Sequence, residues 1–239
     1  GPQKIGEISD QNYADALTLM ESELIDIGAT RLTYVLQPNY INPQYSDLTQ
    51  HFLWSKGYYV SRSDLNYHLE VTSKPFSAGL SSSKRRALKH AAAQDLKIEQ
   101  LYQASFSDVY DLLAVNRRRN GVQLSMSKDS LRKLYNVFGN YVYLFGVKDQ
   151  ENLVAAAFCI RVSARCLYVF YWGHHPSTTI RDPITPLAEA LYRFCQQNDI
   201  SYLDLGTSTI GNEANWGLMF FKNALGAKLS SKLRMTKEF

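Results

Sequence analysis

The side chains best suited to chemistry gather late in the chain. Asp204 lies in Tyr202-Leu203-Asp204-Leu205-Gly206, a run that reads as a short strand. A carboxylate at the C-terminal end of a central strand sits where α/β sheets open their clefts. It suits proton abstraction, or the orienting of an incoming acceptor. The plain alternative is a carboxylate that caps the backbone of the loop after it. His174, at the end of another strand, has an imidazole that titrates near neutrality and is a second candidate base. Tyr171 offers a hydroxyl to the same cleft, and Thr207, Ser208 and Thr209 offer three more.

Residues 173–182 form a polar loop before a helix whose first turn falls near 182–186. A helix N-terminus presents unpaired N–H groups that hold anions. Thr178, Thr179 and Arg181 are therefore candidate ligands for a phosphate-bearing substrate, Arg181 through its forked donors. The alternative is a hydrophilic connection. His174-His175 is followed by Asp182 too late to match the His-His-x-x-x-Asp of other acyltransferases. Neither Cys/His nor His/Glu ligand spacing is present, so no metal site is expected. No nucleophile elbow or activated cysteine is visible, so no covalent enzyme intermediate is expected.

A sheet has to position these groups. Residues 141–147, 153–162 and 166–172 are β-rich runs. Simple alternation over 166–172 puts Tyr168, Phe170 and Trp172 on one face and Val169 and Tyr171 on the other. A helix follows with Leu187, Leu191, Phe194 and Cys195 on one face, then a strand at 201–205. A second helix carries Trp216, Met219 and Phe220 as its apolar residues, with Trp216 read as core, and Gly226 suits its left-handed end. Residues 227–235 close the sheet. An antiparallel meander feeding strand-helix-strand-helix-strand is an α+β pattern with a mixed sheet flanked by helices. Upstream, helices at 11–27 and 47–55 and strands at 31–36, 58–60 and 67–71 read as the back portion of an α/β domain. The Ser/Gly/Pro-bearing connector 73–83 then leads into a basic helix.

This order resembles the GNAT acyltransferase fold. The finer text resembles the Fem-type peptidoglycan bridge-forming aminoacyltransferases and their FemAB-like acetyltransferase relatives. The residues that carry it are Tyr171-Trp172-Gly173, Pro186-Leu187, Tyr202-Leu203-Asp204-Leu205-Gly206 and Phe221-Lys222-Asn223-Ala224-Leu225-Gly226. The last matches the branch's Phe-Lys-x-x-Phe-Gly except at Leu225. The resemblance implies a partial N-terminal GNAT-like domain over 1–78, a basic linker helix over 79–96 and a C-terminal GNAT domain over 97–239. It implies that Lys222 works near the 3′ end of the donor, with Asn215 and Trp216 in the same pocket. A Lys that only snorkels is the plain alternative. The glycine-rich Arg/Gln-x-x-Gly-x-Gly/Ala signature for coenzyme A is absent from 173–182, which favours aminoacyl-tRNA over acyl-CoA as donor substrate. Arg85 and Arg86, with Lys84 and Lys89, and Arg117-Arg118-Arg119 are candidate phosphate holders. A charge run is more often a solvated helix face. The implied activity is transfer of an acyl or aminoacyl group to an amine of a cell-envelope precursor. The alternatives are an ordinary acyl-CoA N-acetyltransferase, or a degenerate non-catalytic module that binds RNA or another anionic partner.

Composition sets the outer bounds. The 239 residues are 45% hydrophobic, with 16 Tyr and 11 Phe, enough for a sizeable core. A net charge of +4 suits an anionic substrate without amounting to a nucleic-acid signature. The three cysteines, Cys159, Cys166 and Cys195, lie in apolar patterns, an odd count that points to a reducing compartment and a cytoplasmic protein. No apolar run is long enough to span a membrane. Gly1-Pro2 reads as a remnant of tag removal.

Overall fold

The computed structural model describes residues 8–239; the Gly1-Pro2 start lies outside the described residues. The chain forms seven α-helices and ten strands among these residues. In order they are α1 (Asp10–Asp26), β1 (Arg31–Val35), α2 (Pro43–Ser55), β2 (Tyr59–Glu70), α3 (Ser82–Ala92), β3 (Leu96–Leu101), α4 (Phe106–Arg119), α5 (Lys128–Phe138), β4 (Val142–Asp149), β5 (Asn152–Ser163), β6 (Cys166–His174), α6 (Ile184–Gln197), β7 (Tyr202–Thr207), β8 (Thr209–Ile210), β9 (Glu213–Ala214), α7 (Trp216–Ala224) and β10 (Lys228–Glu238). The two short strands expected at 58–60 and 67–71 are one 12-residue strand, β2. Its middle, Ser61-Arg62-Ser63-Asp64, is too polar to read as β from propensity alone, and pairing within a sheet overrides that weak preference.

Two compact units share the chain. Among the described residues one comprises 8–66, 207–216 and 229–239, and the other 67–206 and 217–228. The connector 73–83 thus lies within the second unit. In the first unit β1 pairs antiparallel with β10, from Arg31↔Glu238 to Val35↔Arg234. Leu53, Tyr58, Tyr34, Leu36 and Met235 pack beside this sheet. Tyr13, Leu17 and Tyr45 hold α1 and α2 together.

In the second unit the strands follow the order β2-β7-β6-β5-β4-β3. β3 to β6 are antiparallel neighbours, and β6 to β7 is parallel. This is the mixed α+β sheet expected from the sequence. Helices cover both faces. Leu187, Leu191 and Cys195 of α6 pack with Leu69, Val147, Val169, Leu203, Leu205 and Leu225. On the opposite face Val109, Leu112 and Leu113 of α4 and Leu131 of α5 pack with Leu144, Phe158 and Tyr171. Each helix turns an apolar stripe at helical spacing onto the sheet, and burying those stripes is what holds the layers together.

β6 departs from simple alternation. Phe158 pairs with Tyr171 and Cys159 with Val169, so Phe170 is an extra residue, a β-bulge. Before it, Leu167 and Val169 face α6. After it the parity inverts, so that Phe170 and Tyr171 both join the α4 side and Trp172 joins the α6 side. The expected alternation therefore holds through Phe170 and fails from Tyr171 onward.

The three cysteines are buried and free. No helix among the described residues is long and apolar enough to cross a membrane.

Candidate active site

β6 and β7 pair at only three positions, Cys166↔Tyr202, Leu167↔Leu203 and Tyr168↔Asp204. β6 then continues to His174 and β7 to Thr207 without further pairing. The parallel ladder ends with the last pair, and the bulge at Phe170 follows two residues later. A splay of this kind leaves strand N–H and C=O groups without a ladder partner, available to a substrate.

Asp204 and Lys222 meet at the mouth of the splay. Asp204 is buried, and its Oδ1 accepts the Gly206 N–H at 2.7 Å. Lys222 is 1% exposed and its Nζ donates to the Gly206 carbonyl at 2.8 Å. The two peptide units that flank the Gly206 Cα are thus each held by a side chain. Gly206 has φ +76°, and a Cβ there would stand 3.4 Å from the Tyr168 ring. That distance is ordinary contact, so it is the left-handed backbone and not a lack of space that favours glycine here. The sequence places Lys222 late in α7, where the helix turns it inward. The Tyr67 ring lies 5.7 Å from its Nζ.

Burial pushes the Lys222 amine down to about 7, against the pull of Asp204 and with a smaller push from Arg117. Taking an ammonium out of water disfavours its charged form. Tyr168 is driven the other way: burial, the Asp204 charge and Tyr171 raise its hydroxyl to about 12. His68 of β2 is pulled down by burial, opposed by Asp204 and Glu70. Its ring meets Tyr202 edge-on at 5.8 Å. Tyr202 and Asp204 are two apart on β7 and share a face, so His68, Tyr168 and Asp204 line one side of the sheet. At neutral pH the group holds a neutral imidazole, a protonated phenol and an amine poised between its two forms. It can accept a proton from an incoming ammonium, and it can donate to an oxygen that gains charge.

The other expected site residues are dispersed. Tyr171 is buried on the α4 side, where its hydroxyl is bound to Ser125 Oγ and accepts the Met126 N–H. His174 is half-buried, its carbonyl accepting from Asn116 Nδ2 at 2.8 Å. Burial and Arg119 lower its imidazole, opposed by Asp182. Gly173 makes room for that Asn116 contact, since a Cβ there would come within 2.6 Å of Asn116 Oδ1. Thr178 and Thr179 line a separate polar cavity of about 360 Å³ with Asp149, Asn152, His175 and Ser177. Arg181, Arg85 and Arg86 are exposed. Thr207, Ser208 and Asn215 belong to the first unit, where Ser208 is buried, donates its N–H to Leu65 and accepts from the Asn215 N–H. Trp216, expected in the core, is 75% exposed, and Phe220 one turn on is 77% exposed. The inward side of α7 carries Phe221, Lys222 and Leu225 instead. No group of His, Cys, Asp or Glu among the described residues is arranged to hold a metal ion.

Tyr168 and His68 are the residues that motif reading missed as site members. The cross-strand register names Tyr168, and no local pattern announces either.

No family model and no curated protein matches this sequence. Solved structures do. FemX superposes with a TM-score of 0.74 at 11% identity, over 97% of this chain and 78% of that one. The chain has the fold of FemX. L-PGS from Bacillus licheniformis gives a TM-score of 0.66 at 9% identity, over 94% of this chain and 73% of that one. The C-terminal DUF2156 domain of an Agrobacterium fabrum protein assigned as a lysylphosphatidylglycerol synthetase gives 0.68 at 10% identity, over 97% and 75%. The fold expected from the order of elements, that of the FemAB-like branch of GNAT proteins, is the fold found.

Proposed function

We propose that the chain is an acyltransferase of the FemAB-like kind, moving an activated acyl or aminoacyl group onto an amine of a cell-envelope precursor. The observation that supports this most is the parting of β6 and β7 after Tyr168 and Asp204, with the Phe170 bulge beside it and the buried Lys222 amine at its mouth. A bulge re-aims backbone donors. A freed N–H of β6 at the bulge is suited to stabilise the carbonyl oxygen as the amine attacks. Lys222 in its neutral form takes the proton the amine sheds, and as the acyl–oxygen or acyl–sulfur bond of the donor breaks it returns a proton to the departing hydroxyl or thiol. Asp204 keeps the Gly206 peptide, and with it Lys222, in place. Tyr168, protonated throughout the working range, lies beside the same glycine and is a hydrogen-bond donor to the reacting centre. Orientation of donor and acceptor in the splay supplies much of the rest.

The test is direct transfer. Labelled aminoacyl-tRNA and labelled acetyl-CoA are offered separately, with a nucleotide-linked muramyl peptide bearing a free amine. The reading expects label on the amine with the wild-type chain and transfer slower by about 10²-fold or more with Lys222→Met. Transfer from acetyl-CoA alone would move the chain to the acyl-CoA class. Binding of RNA without transfer from either donor would remove the enzyme reading in favour of a non-catalytic anion-binding module.

A further inference from the structure

Of the three arginines that end α4, Arg118 and Arg119 are exposed and Arg117 is half-buried. Arg118 Nε donates to the Ala114 carbonyl at 3.4 Å, and Arg119 Nη1 to the Pro176 carbonyl at 3.3 Å. The Arg117 guanidinium makes no hydrogen bond and no ion pair with any of the described residues. Its backbone is nevertheless fixed, since its carbonyl accepts the Asn120 N–H at 3.0 Å and the Val122 N–H at 3.1 Å. Val109, Leu113 and Arg117 follow one another at single turns and share a face of α4. Val109 and Leu113 are buried in the layer that holds Phe158 and Tyr171. Leu112 on the same layer is followed one turn later by Asn116, whose carboxamide meets the His174 carbonyl at 2.8 Å over Gly173. The stripe that lies on the sheet is therefore apolar until its last turn. It becomes Asn116 and Arg117 where β6 has passed its bulge and left β7. The charge of Arg117 reaches the groups at the mouth of the splay. Behind burial and Asp204 it helps to lower the Lys222 amine, and behind burial, Asp204 and Tyr171 it opposes the rise of the Tyr168 hydroxyl. A guanidinium partly withdrawn from water without a counterion is a cost to the fold. An incoming oxyanion would offset that cost through the forked donors.

We propose that Arg117 is a substrate-anchoring residue, which receives a carboxylate or phosphate oxyanion lying close to the reacting amine in the splay between β6 and β7. The proposal rests on reading that splay as the place of transfer, and it deepens that reading by naming a chemical feature of the substrate. Two kinds of substrate carry such an anion. One is an acceptor with a carboxylate on the carbon that bears its amine. The other is a donor esterified to a terminal nucleotide, whose phosphate is one ribose away from the acyl carbonyl. A thioester at the end of a pantetheine arm carries its phosphates far from the carbonyl and would gain nothing from Arg117. A cation that only complements the end of a helix asks nothing of the ligand. Probes with and without the anion therefore separate the two roles.

The experiment measures binding and needs no turnover, so it can fail while transfer stands, and the reverse. Two pairs of probes are titrated by calorimetry against wild type, Arg117→Met and Arg117→Lys at constant ionic strength. The acceptor pair is nucleotide-linked muramyl tripeptides ending in lysine or in meso-diaminopimelate, which differ by one carboxylate beside the amine. The donor pair is puromycin with and without a phosphate on its primary hydroxyl. Within at least one pair, wild type is expected to bind the member with the added anion roughly tenfold more tightly. Arg117→Met should abolish that preference and leave the other member's affinity unchanged. Arg117→Lys, which keeps the charge without the fork, should restore part of it. The pair that responds identifies the source of the anion. The proposal is overturned if wild type discriminates within neither pair, or if the preference survives in Arg117→Met. It is equally overturned if Arg117→Met weakens both members of the discriminating pair alike, the mark of a structural role. Arg117→Gln is read in the same way should the methionine variant not fold.

Discussion

Tyr168 and Asp204 are the last residues across which β6 and β7 are paired. They face the side of the sheet covered by α4, and the next turn of chain after Asp204 is the Gly206 peptide held by Lys222. Three titratable groups with different environments thus meet where the ladder opens. Burial raises the Tyr168 hydroxyl and lowers the Lys222 amine, so that at physiological pH the phenol keeps its proton and the amine is poised between its two forms.

Lys222→Met keeps the length of the side chain and removes the amine. Transfer is expected to fall by about 10²-fold or more, the usual weight of a positioned acid-base group. Circular dichroism of the variant should match wild type, because a buried methionine replaces a buried ammonium whose desolvation is itself costly.

The same amine sets a pH dependence. Its folded value, about 7, lies below the 10.5 of an exposed lysine. Between those two values the unfolded chain binds more protons, so stability rises with pH across that window. Below the folded value both states are protonated and the dependence ends. The slope from this one group cannot exceed about 1.4 kcal/mol per pH unit. Urea titrations from pH 6.5 to 10 should show a smaller upward slope in Lys222→Met than in wild type. The transfer rate should rise with pH through an apparent midpoint near that of the Lys222 amine.

Asp204→Asn retains an oxygen that can accept the Gly206 N–H but removes the charge that favours protonated Lys222. The pH midpoint of transfer is expected to move down, with a drop in rate at the optimum. A variant that loses rate with an unmoved midpoint would show that Asp204 acts only through loop geometry.

Gly173→Ala places a methyl against the Asn116 carboxamide, within 2.6 Å. Overpacking of this kind typically costs about 1–3 kcal/mol. Asn116→Ala on its own forfeits the bond to the His174 carbonyl. Combined, the two losses should be less than additive, because the second alanine clears the space the first invades, and a double-mutant cycle measured by chemical denaturation checks it.

In the first unit, Asp64 is buried with the Arg62 Nε 2.8 Å and Nη2 2.7 Å from its Oδ1, and Thr209 donates to the same oxygen. These bonds outweigh desolvation and hold its carboxyl below the usual range. A depressed folded value stabilises above the unfolded value and is lost as pH falls through the folded one. Acid unfolding should therefore start at a lower pH in wild type than in Asp64→Asn only to the extent that this carboxylate contributes, and the difference should vanish at the most acid end of the titration.

Much of this was legible in the sequence. The meander, α6, β7 and α7 follow from apolar periodicity and turn residues, and Asp204 and Lys222 were singled out from a strand end and a short motif. Three things were not legible. The bulge at Phe170 is a matter of register with β5, so the facing of Tyr171 and Trp172 could not be read from β6 alone. Trp216 and Phe220 look like core by hydropathy, yet α7 turns Lys222 inward and leaves them exposed, because the position of the helix over the sheet decides and not the side chain's preference. His68 joins the group from a strand more than a hundred residues earlier, a proximity that only sheet order creates.

The single unpaired residue in β6 carries a further consequence. Because Phe170 is one residue too many for its partner, deleting it would restore strict two-residue rhythm and leave every side chain beyond it in the layer it now occupies. Trp172 would keep its side of the sheet, where it meets Phe221, and Gly173 would keep the side on which it meets Asn116. The extra residue therefore changes how much backbone lies between the last tyrosine paired with β7 and the loop, without turning the end of the strand over.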